Sequence, residues 1–320
     1  VRVLITGMGG ELGTRVANLV ERDAAVNAVL GLDLDPPRRR LHGAEFHRVD
    51  PRDRERTHDL VAAFDPTAVV HIGVYEPYAR SSPASAIERT GAGSLAVFEA
   101  LGACPSLDRV VIRSGIEVYG RRRGAAACPD EATAVDPSTP FGHLLAYVER
   151  LGREVADRHE VPVTALRMAP LVGPHFPSPL GRLLRLPAVP CAALGDHPFS
   201  VLHQEDAAGS LVAALHRRHD GPVNVVGPGA VTARQAARLG GRLPVPLLGP
   251  TWRPARMLSE LLGAPMPEHV RELLVRGRTA DGSSTRGAIG FAPQRSTRDV
   301  IEHLQEWAEV TYLEVDEAVA

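Results

Sequence analysis

The sequence predicts an α/β fold: a doubly wound parallel sheet covered by helices on both faces, with a smaller C-terminal lobe. Three observations carry that prediction. Apolar, strand-like runs alternate with helical segments through the first half of the chain, as a parallel sheet with helical crossovers requires. The first run, Val1 to Ile5, enters the glycine-rich turn Thr6-Gly7-Met8-Gly9-Gly10-Glu11-Leu12-Gly13 and then a helix. Beyond Leu166 the pattern becomes irregular and rich in proline, which suits a lobe inserted around the last sheet strands.

The turn has the spacing Gly-x-x-Gly-x-x-Gly. Gly7 suits a tight strand-to-helix turn, Gly10 leaves the backbone bare for a pyrophosphate, and Gly13 lets the helix approach the sheet. The phosphates would rest on the free N–H groups around Glu11 and Leu12, at the positive end of the helix dipole. The second strand, Ala28 to Leu32, ends in Asp33, placed to accept hydrogen bonds from both hydroxyls of an adenosine ribose. A glycine turn serving only helix packing leaves that acid unexplained. Arg38, Arg39 and Arg40 follow and suit a 2′-phosphate, but Asp33 repels one, so NAD is expected over NADP.

The remaining elements follow in order. Glu45 to Asp50 form a third strand end, and a helix is expected over 53–64. Thr67 to Gly73 read as a buried strand, followed by a helix near 84–103 and a strand from Arg109 to Ser114. A loop over 121–140 leads to a helix near 141–159, whose apolar stripe (Leu144, Leu145, Val148, Leu151, Val155) either packs on its own sheet or forms a dimer seam. Val161 to Leu166 and Val223 to Val226 complete the sheet. The expected division is a dinucleotide-binding domain over 1–165, completed by about 199–228, and a smaller substrate-binding lobe from 166–198 and 229–312, the latter stretch mainly helical. An acidic tail, 313–320, is expected to fray.

The 320 residues suffice for a large core, and a net charge of −2 without a basic stripe argues against nucleic-acid binding. No apolar run approaches the roughly 20 residues of a membrane span, and the chain enters a strand at once without a signal peptide. A cytoplasmic protein without a membrane partner is therefore expected. Cys104, Cys128 and Cys191 are widely spaced and read as free thiols, and no metal site is expected. All 36 basic residues are arginine. Codon bias in a GC-rich genome accounts for this, yet no mechanism that needs a lysine amine can operate.

The chain resembles the extended short-chain dehydrogenases/reductases of the NAD-dependent epimerase/dehydratase family, nearest to the UDP-glucose 4-epimerase-like group, over roughly residues 1–305. The resemblance rests on the Thr6–Gly13 turn, Asp33, Asp50, Ser114-Gly115-Ile116-Glu117-Val118-Tyr119-Gly120, Leu166-Arg167 through Gly173-Pro174, and His203-Gln204-Glu205-Asp206. Asn224 to Gly227, Ala280-Asp281 and Ile289 to Pro293 extend it. It implies a Rossmann fold, a bound NAD, a small-molecule ligand of the nucleotide-sugar type, and a homodimer through the 84–103 and 141–159 helices. It also implies that Asp50 meets the adenine, although Asp50 reads equally as a helix cap that Asp53 could supply, and that Gly73 gives the dinucleotide clearance. His71 reads as a satisfied core histidine.

The family's reaction uses a tyrosine whose phenolate takes a proton while hydride passes to the cofactor. A free phenol has a pKa of about 10, so a lysine must stabilise that phenolate. Here the tyrosine position is Phe141, the lysine position Leu145, the Ser/Thr position Gly115 and the supporting asparagine position Thr90. The usual proton path is closed. The remaining catalytic candidates are Tyr75, Glu117 and Ser114, with Glu76 and Tyr78 beside Tyr75 and His143 beside Phe141. Ser114 is one residue out of register, so on a strand it would face away from the site. On the substrate side Pro170 and Phe199 replace family polar residues, while Arg182, Arg185, Arg276 and Arg278 are candidate diphosphate clamps or surface arginines. Two functions remain open: an epimerase, dehydratase or oxidoreductase of non-standard mechanism, and a catalytically silent NAD-binding regulator or scaffold.

Overall fold

The computed structural model describes residues 1–306, so the tail expected over 313–320 lies outside the described residues. Six strands lead the sheet in chain order: β1 (Arg2–Thr6), β2 (Ala28–Asp33), β3 (Ala44–Arg48), β4 (Ala68–His71), β5 (Arg109–Gly115) and β6 (Val163–Met168). With Gly221–Val225 they form a seven-stranded parallel sheet whose order, from that last strand, is β6, β5, β4, β1, β2, β3. The order reverses between β1 and β4, the switch point where an open α/β sheet opens a crevice at its carboxyl edge. Register brings the edge together: Thr6 lies beside Leu32 on one side and His71 on the other. Gly7, Asp33 and Gly73, distant in sequence, therefore meet at one rim.

Strand alternation builds a core on each face. Val3 and Ile5 point into a cluster with Val16, Val70, Leu211 and Val223, whereas Leu4 joins Leu30, Val69, Phe98, Ile112 and Val148 on the opposite face. The first four helices are α1 (Glu11–Val20), α2 (Arg54–Phe64), α3 (Pro83–Ala100) and α4 (Pro140–His159), within about three residues of the expected spans. Side-chain oxygens of Asp53, Ser82 and Thr139 cap α2, α3 and α4. The α4 stripe of Leu144, Leu145, Val148, Leu151 and Val155 is buried inside the single chain, which decides its use in favour of the protein's own core. Each such side chain contributes about 1.5–3 kcal/mol by leaving water.

A third cluster, including Leu183, Val189, Phe199, Trp252, Met266, Leu273 and Ile301, fills the C-terminal lobe. The stretch expected to be mainly helical has helices at Ala233–Leu239, Trp252–Leu261, Glu268–Arg276, Thr285–Ile289 and Thr297–Glu306, but also a strand at Leu243–Leu247. That strand, Leu-Pro-Val-Pro-Leu, pairs in parallel with Ala188–Ala192. Its prolines alternate with residues that bond the partner: Leu243 N–H donates to Pro187 O (2.9 Å) and Leu247 O accepts from Ala193 N–H (3.0 Å). The missing proline N–H groups thus fall on the outer side, where no ladder bond is lost. Among the described residues no helix is long and apolar enough to cross a membrane.

Candidate functional site

The glycine turn has little room for side chains. Gly7 has φ +75°, donates its N–H to Leu32 O (2.9 Å), and a Cβ there would stand 2.8 Å from Gly73 N. A Cβ on Gly13 would collide with Gly7 O, whereas the nearest atom to one on Gly10 is 3.5 Å away. Gly10 is the N-cap of α1 and supplies no side-chain cap. The helix's first internal bond is Thr14 N–H to Gly10 O (2.9 Å), so the N–H groups of Glu11, Leu12 and Gly13 precede the helical ladder and face outward for an anion. Glu11 itself pairs with Arg80 at 3.6 Å.

Gly9 is a residue that the sequence reading passed over. Its N–H donates to Asp33 Oδ2 (2.9 Å), and a Cβ there would strike Asp35 O. The adjacent Gly9-Gly10 pair was the available signal. Asp33 also accepts from Leu34 N–H (2.6 Å) and from the Tyr75 hydroxyl (3.0 Å). Burial pushes the Asp33 carboxyl above its ordinary value, and those hydrogen bonds oppose the shift.

This position of Tyr75 corrects its reading as a proton donor at the reacting end. Burial, then the Asp33 charge, pushes its phenol upward, so it holds its proton and gives a hydrogen bond. The Tyr75 N–H in turn donates to Thr90 Oγ1 (2.9 Å), which assigns Thr90 to holding this loop. Two openings meet at Gly7, Asp33, Gly73 and Tyr75: a cleft of about 820 Å³ along Gly10–Gly13, and a slot of about 380 Å³ between Leu32, Val49, Pro51 and Val97. Asp50 lines neither. Hydrogen bonds from Arg52, with Nη2 2.7 Å from Asp50 Oδ2, hold its carboxyl down to about 2, and Asp53 is the cap of α2. Asp50, expected to meet the adenine, is turned to Arg52, while its neighbours Val49 and Pro51 line the slot.

His71 is a satisfied core histidine, with Nδ1 2.8 Å from Thr6 Oγ1 and Nε2 2.9 Å from Ser94 Oγ. Burial pushes its pKa down to about 4, so it is neutral at ordinary pH.

At the far end of the cleft Gly115, Phe141 and Leu145 line one cavity, while Thr90 stands apart, bonded to the Tyr75 loop. A Cβ at Gly115 would meet the end of the buried Glu117 side chain at Oε2, which would have to move aside. Glu117 lines a cavity of about 310 Å³ with Glu76, Arg113, Phe141, Leu145 and Pro170. Glu76 and Arg113 also line the larger cleft and so join the two spaces. Glu76 Oε1 lies 3.1 Å from His269 Nε2, and the His269 ring packs on Phe141 with centroids 4.8 Å apart. Arg113 Nη1 donates to Val74 O (2.6 Å), while its Nε is buried without a partner. Burial lowers the Arg113 pKa, and the charges of Glu76 and Glu117 oppose that.

Ser114 requires the opposite correction to Glu117. Its hydroxyl donates to Glu149, which pairs with Arg167 at 2.7 Å. Arg167 reaches the Tyr119 hydroxyl (3.0 Å), which donates to Asn224 Oδ1 (2.7 Å). Ser114 therefore belongs to a structural network on the other face of β5, as the strand's period of two requires. The same period places Arg113 on the face of Gly115. That step back of two residues was the missed signal for Arg113; nothing local signalled His269.

The proposed clamp arginines have internal duties. Arg278 is buried and paired with Glu272 at 2.5 Å, Arg276 Nη1 donates to Arg121 O (2.7 Å), and Arg185 Nη2 donates to Leu304 O (3.0 Å). Arg182 donates to the carbonyls of Tyr78 and Ala79. Tyr78, at φ +64°, thus presents its backbone to the fold, and His143 is exposed.

Residues 3–227 match the sequence family described as the NAD dependent epimerase/dehydratase family. An uncharacterized protein of Mycobacterium tuberculosis is 30% identical over 94% of this chain and 82% of its own length. Another, from Sinorhizobium fredii, is 21% identical over 95% of this chain and 78% of its own. Among solved structures, the UDP-glucose 4-epimerase of Thermotoga maritima with UDP-glucose is 19% identical and superposes with a TM-score of 0.73, covering 96% of this chain and 98% of its own. The UDP-glucuronic acid 4-epimerase of Bacillus cereus, solved with UDP-glucuronic acid and NAD, is 17% identical with the same TM-score and coverage of 96% and 98%.

Proposed function

The chain belongs to the NAD dependent epimerase/dehydratase family, and on that premise we propose that it binds NAD and a nucleotide-sugar-like ligand, with any turnover following a non-standard route. One observation carries the cofactor reading: strand register gathers Gly7, Asp33 and Gly73 around a cleft whose floor is the uncapped start of α1. The residues fit the group. The N–H groups of Glu11, Leu12 and Gly13 would hold the pyrophosphate, Asp33 the adenosine ribose hydroxyls, and the apolar slot at Val49, Pro51 and Val97 the adenine. The ribose hydroxyls and the Tyr75 hydroxyl compete for the same carboxylate, so Tyr75 yields when the cofactor enters. The Asp33 charge disfavours a 2′-phosphate and supports NAD over NADP. When bound, NAD supplies a hydride acceptor.

The ligand reading is supported by the nucleotide sugars in the similar structures and by the cavity that continues the cleft past Arg113. Calorimetry tests both halves. NAD is expected to bind at micromolar affinity or tighter, about 8 kcal/mol, and NADP at least about tenfold more weakly. No binding of either dinucleotide would refute the cofactor reading, and equal affinities would refute the preference. A second reading, a catalytically silent NAD-binding regulator or scaffold, is favoured by Phe141 and Leu145, which neither ionise nor donate. It predicts that bound NAD stays oxidised with UDP-glucose and UDP-glucuronic acid alike.

A further inference from the structure

We propose that Glu76, backed by His269, is the proton-handling group of this site and replaces the absent tyrosine. The proposal rests on the ligand reading above. Phe141 occupies the tyrosine position, and its ring packs on His269, whose Nε2 meets Glu76 Oε1 at 3.1 Å. The pair thus lies beside the place a phenol would fill. Both side chains are nearly buried, at 5% exposure for His269 and 13% for Glu76, so the contact is held in one arrangement rather than sampled at a surface.

The surroundings give the pair two outlets. Glu76 borders both the cofactor cleft and the inner cavity, with the Arg113 guanidinium and the Glu117 carboxylate as its charged neighbours. His269 borders an outer cavity of about 700 Å³ with Tyr78 and Phe141, where Arg256, Glu260 and Glu268 are the charged groups. A route for a proton therefore runs from the cleft through Glu76 to His269 and outward. The Arg113 side chain, which lines both the cleft and the inner cavity, is a cation suited to an oxygen that becomes negative as its proton leaves.

The step balances simply. A ligand hydroxyl loses its O–H proton to a Glu76 oxygen, and the freed electron pair on oxygen forms the C=O bond as the carbon's hydrogen departs with its own two electrons. Bound NAD is the class of oxidant that takes that hydride. On the return step Glu76 gives the proton back, and His269 keeps the carboxyl oriented and exchanges its proton with the outer cavity.

The full chain, loaded with NAD, tests this in single-turnover reactions with UDP-glucose and UDP-glucuronic acid, read by NADH absorbance, beside calorimetry of both ligands. E76Q is expected to keep NAD and sugar-nucleotide binding within about threefold and to lose about 100-fold or more of the reduction rate. E76D is expected to recover part of that rate, and H269N to shift the pH profile. An E76Q rate within about threefold of the unaltered protein overturns the proposal, and so does an unaltered protein that binds both ligands and forms no NADH between about pH 6 and 9. If neither sugar nucleotide binds, the ligand reading fails separately, and the His269 imidazole titration by NMR decides the proposal. The imidazole protonation constant should then differ by at least about twofold between the NAD and NADH complexes, and E76Q should erase the difference. An unchanged titration overturns the pairing with the cofactor end.

Discussion

The two ends of the cleft follow different chemistry. The cradle at Gly7–Gly13 is made of backbone: N–H groups, a positive φ, and glycines whose missing side chains leave room for a carbonyl or a phosphate. The far end is made of side chains, where Gly115, Phe141 and Leu145 line a cavity with Glu76, Arg113 and Glu117. At Gly7, Gly9 and Gly13 the backbone admits no Cβ without a collision, whereas a side-chain site can change role while the scaffold stays. Steric contacts hold the cradle, whereas Glu117, Glu76 and Arg113 gather at the other end with His269 against Glu76.

The contrast is broken most severely at the cradle. Gly13→Val drives a Cβ into Gly7 O, and overpacking against backbone should cost about 3 kcal/mol and abolish NAD binding, as denaturant unfolding and calorimetry will show. Near-normal stability with intact NAD affinity would mean the turn is softer than its contacts imply.

Next comes the buried His71 behind that edge. Its pKa is lowered from 6.5 to about 4 by burial, so below about pH 6.5 the unfolded chain binds a proton that the folded chain refuses. Stability is thus complete above pH 6.5 and falls between about 6.5 and 4, by about 3 kcal/mol at about 1.4 kcal/mol per unit. Urea titrations at stepped pH measure the fall, and an NMR imidazole signal that titrates near 6.5 in the folded protein would contradict it.

At the far end, Gly115→Ser should cost only about 1 kcal/mol, because its Cβ displaces the movable tip of the Glu117 side chain. Restoring Phe141→Tyr, Leu145→Lys and Gly115→Ser together should therefore recover more family-type turnover of UDP-glucose when Glu117→Ala is added. Equal turnover with and without that fourth change would argue that Glu117 does not crowd the new hydroxyl. The smallest effect is expected at Tyr75→Phe. Removing the hydroxyl that occupies Asp33 should tighten NAD by about fivefold, roughly 1 kcal/mol, in calorimetry; weaker binding would make Tyr75 a contact rather than a competitor.

Much of the cradle was legible in the sequence because its chemistry is local. The glycine spacing, the acid at the end of the second strand and the alternation of strands with helices each state their constraint within a few residues. Gly9, Arg113 and the Leu243–Leu247 strand were harder to read. Gly9 matters through a carbonyl two elements away, Arg113 through a strand face shared with Gly115, and the strand through prolines whose outer sides need no partner.

The sequence by itself determined the fold class, the family and the strand–glycine turn–helix unit, since residue type and period settle those. Only the tertiary structure decided partners. It placed Tyr75 on Asp33 across 42 positions, turned Ser114 toward Glu149 on the far face, and brought His269 to Glu76 across 193. The first two pairs form between the sheet and its own loops and helices, whereas the third needs the helix Glu268–Arg276 to pack near the loop after β4. No local pattern encodes which buried polar group will find which.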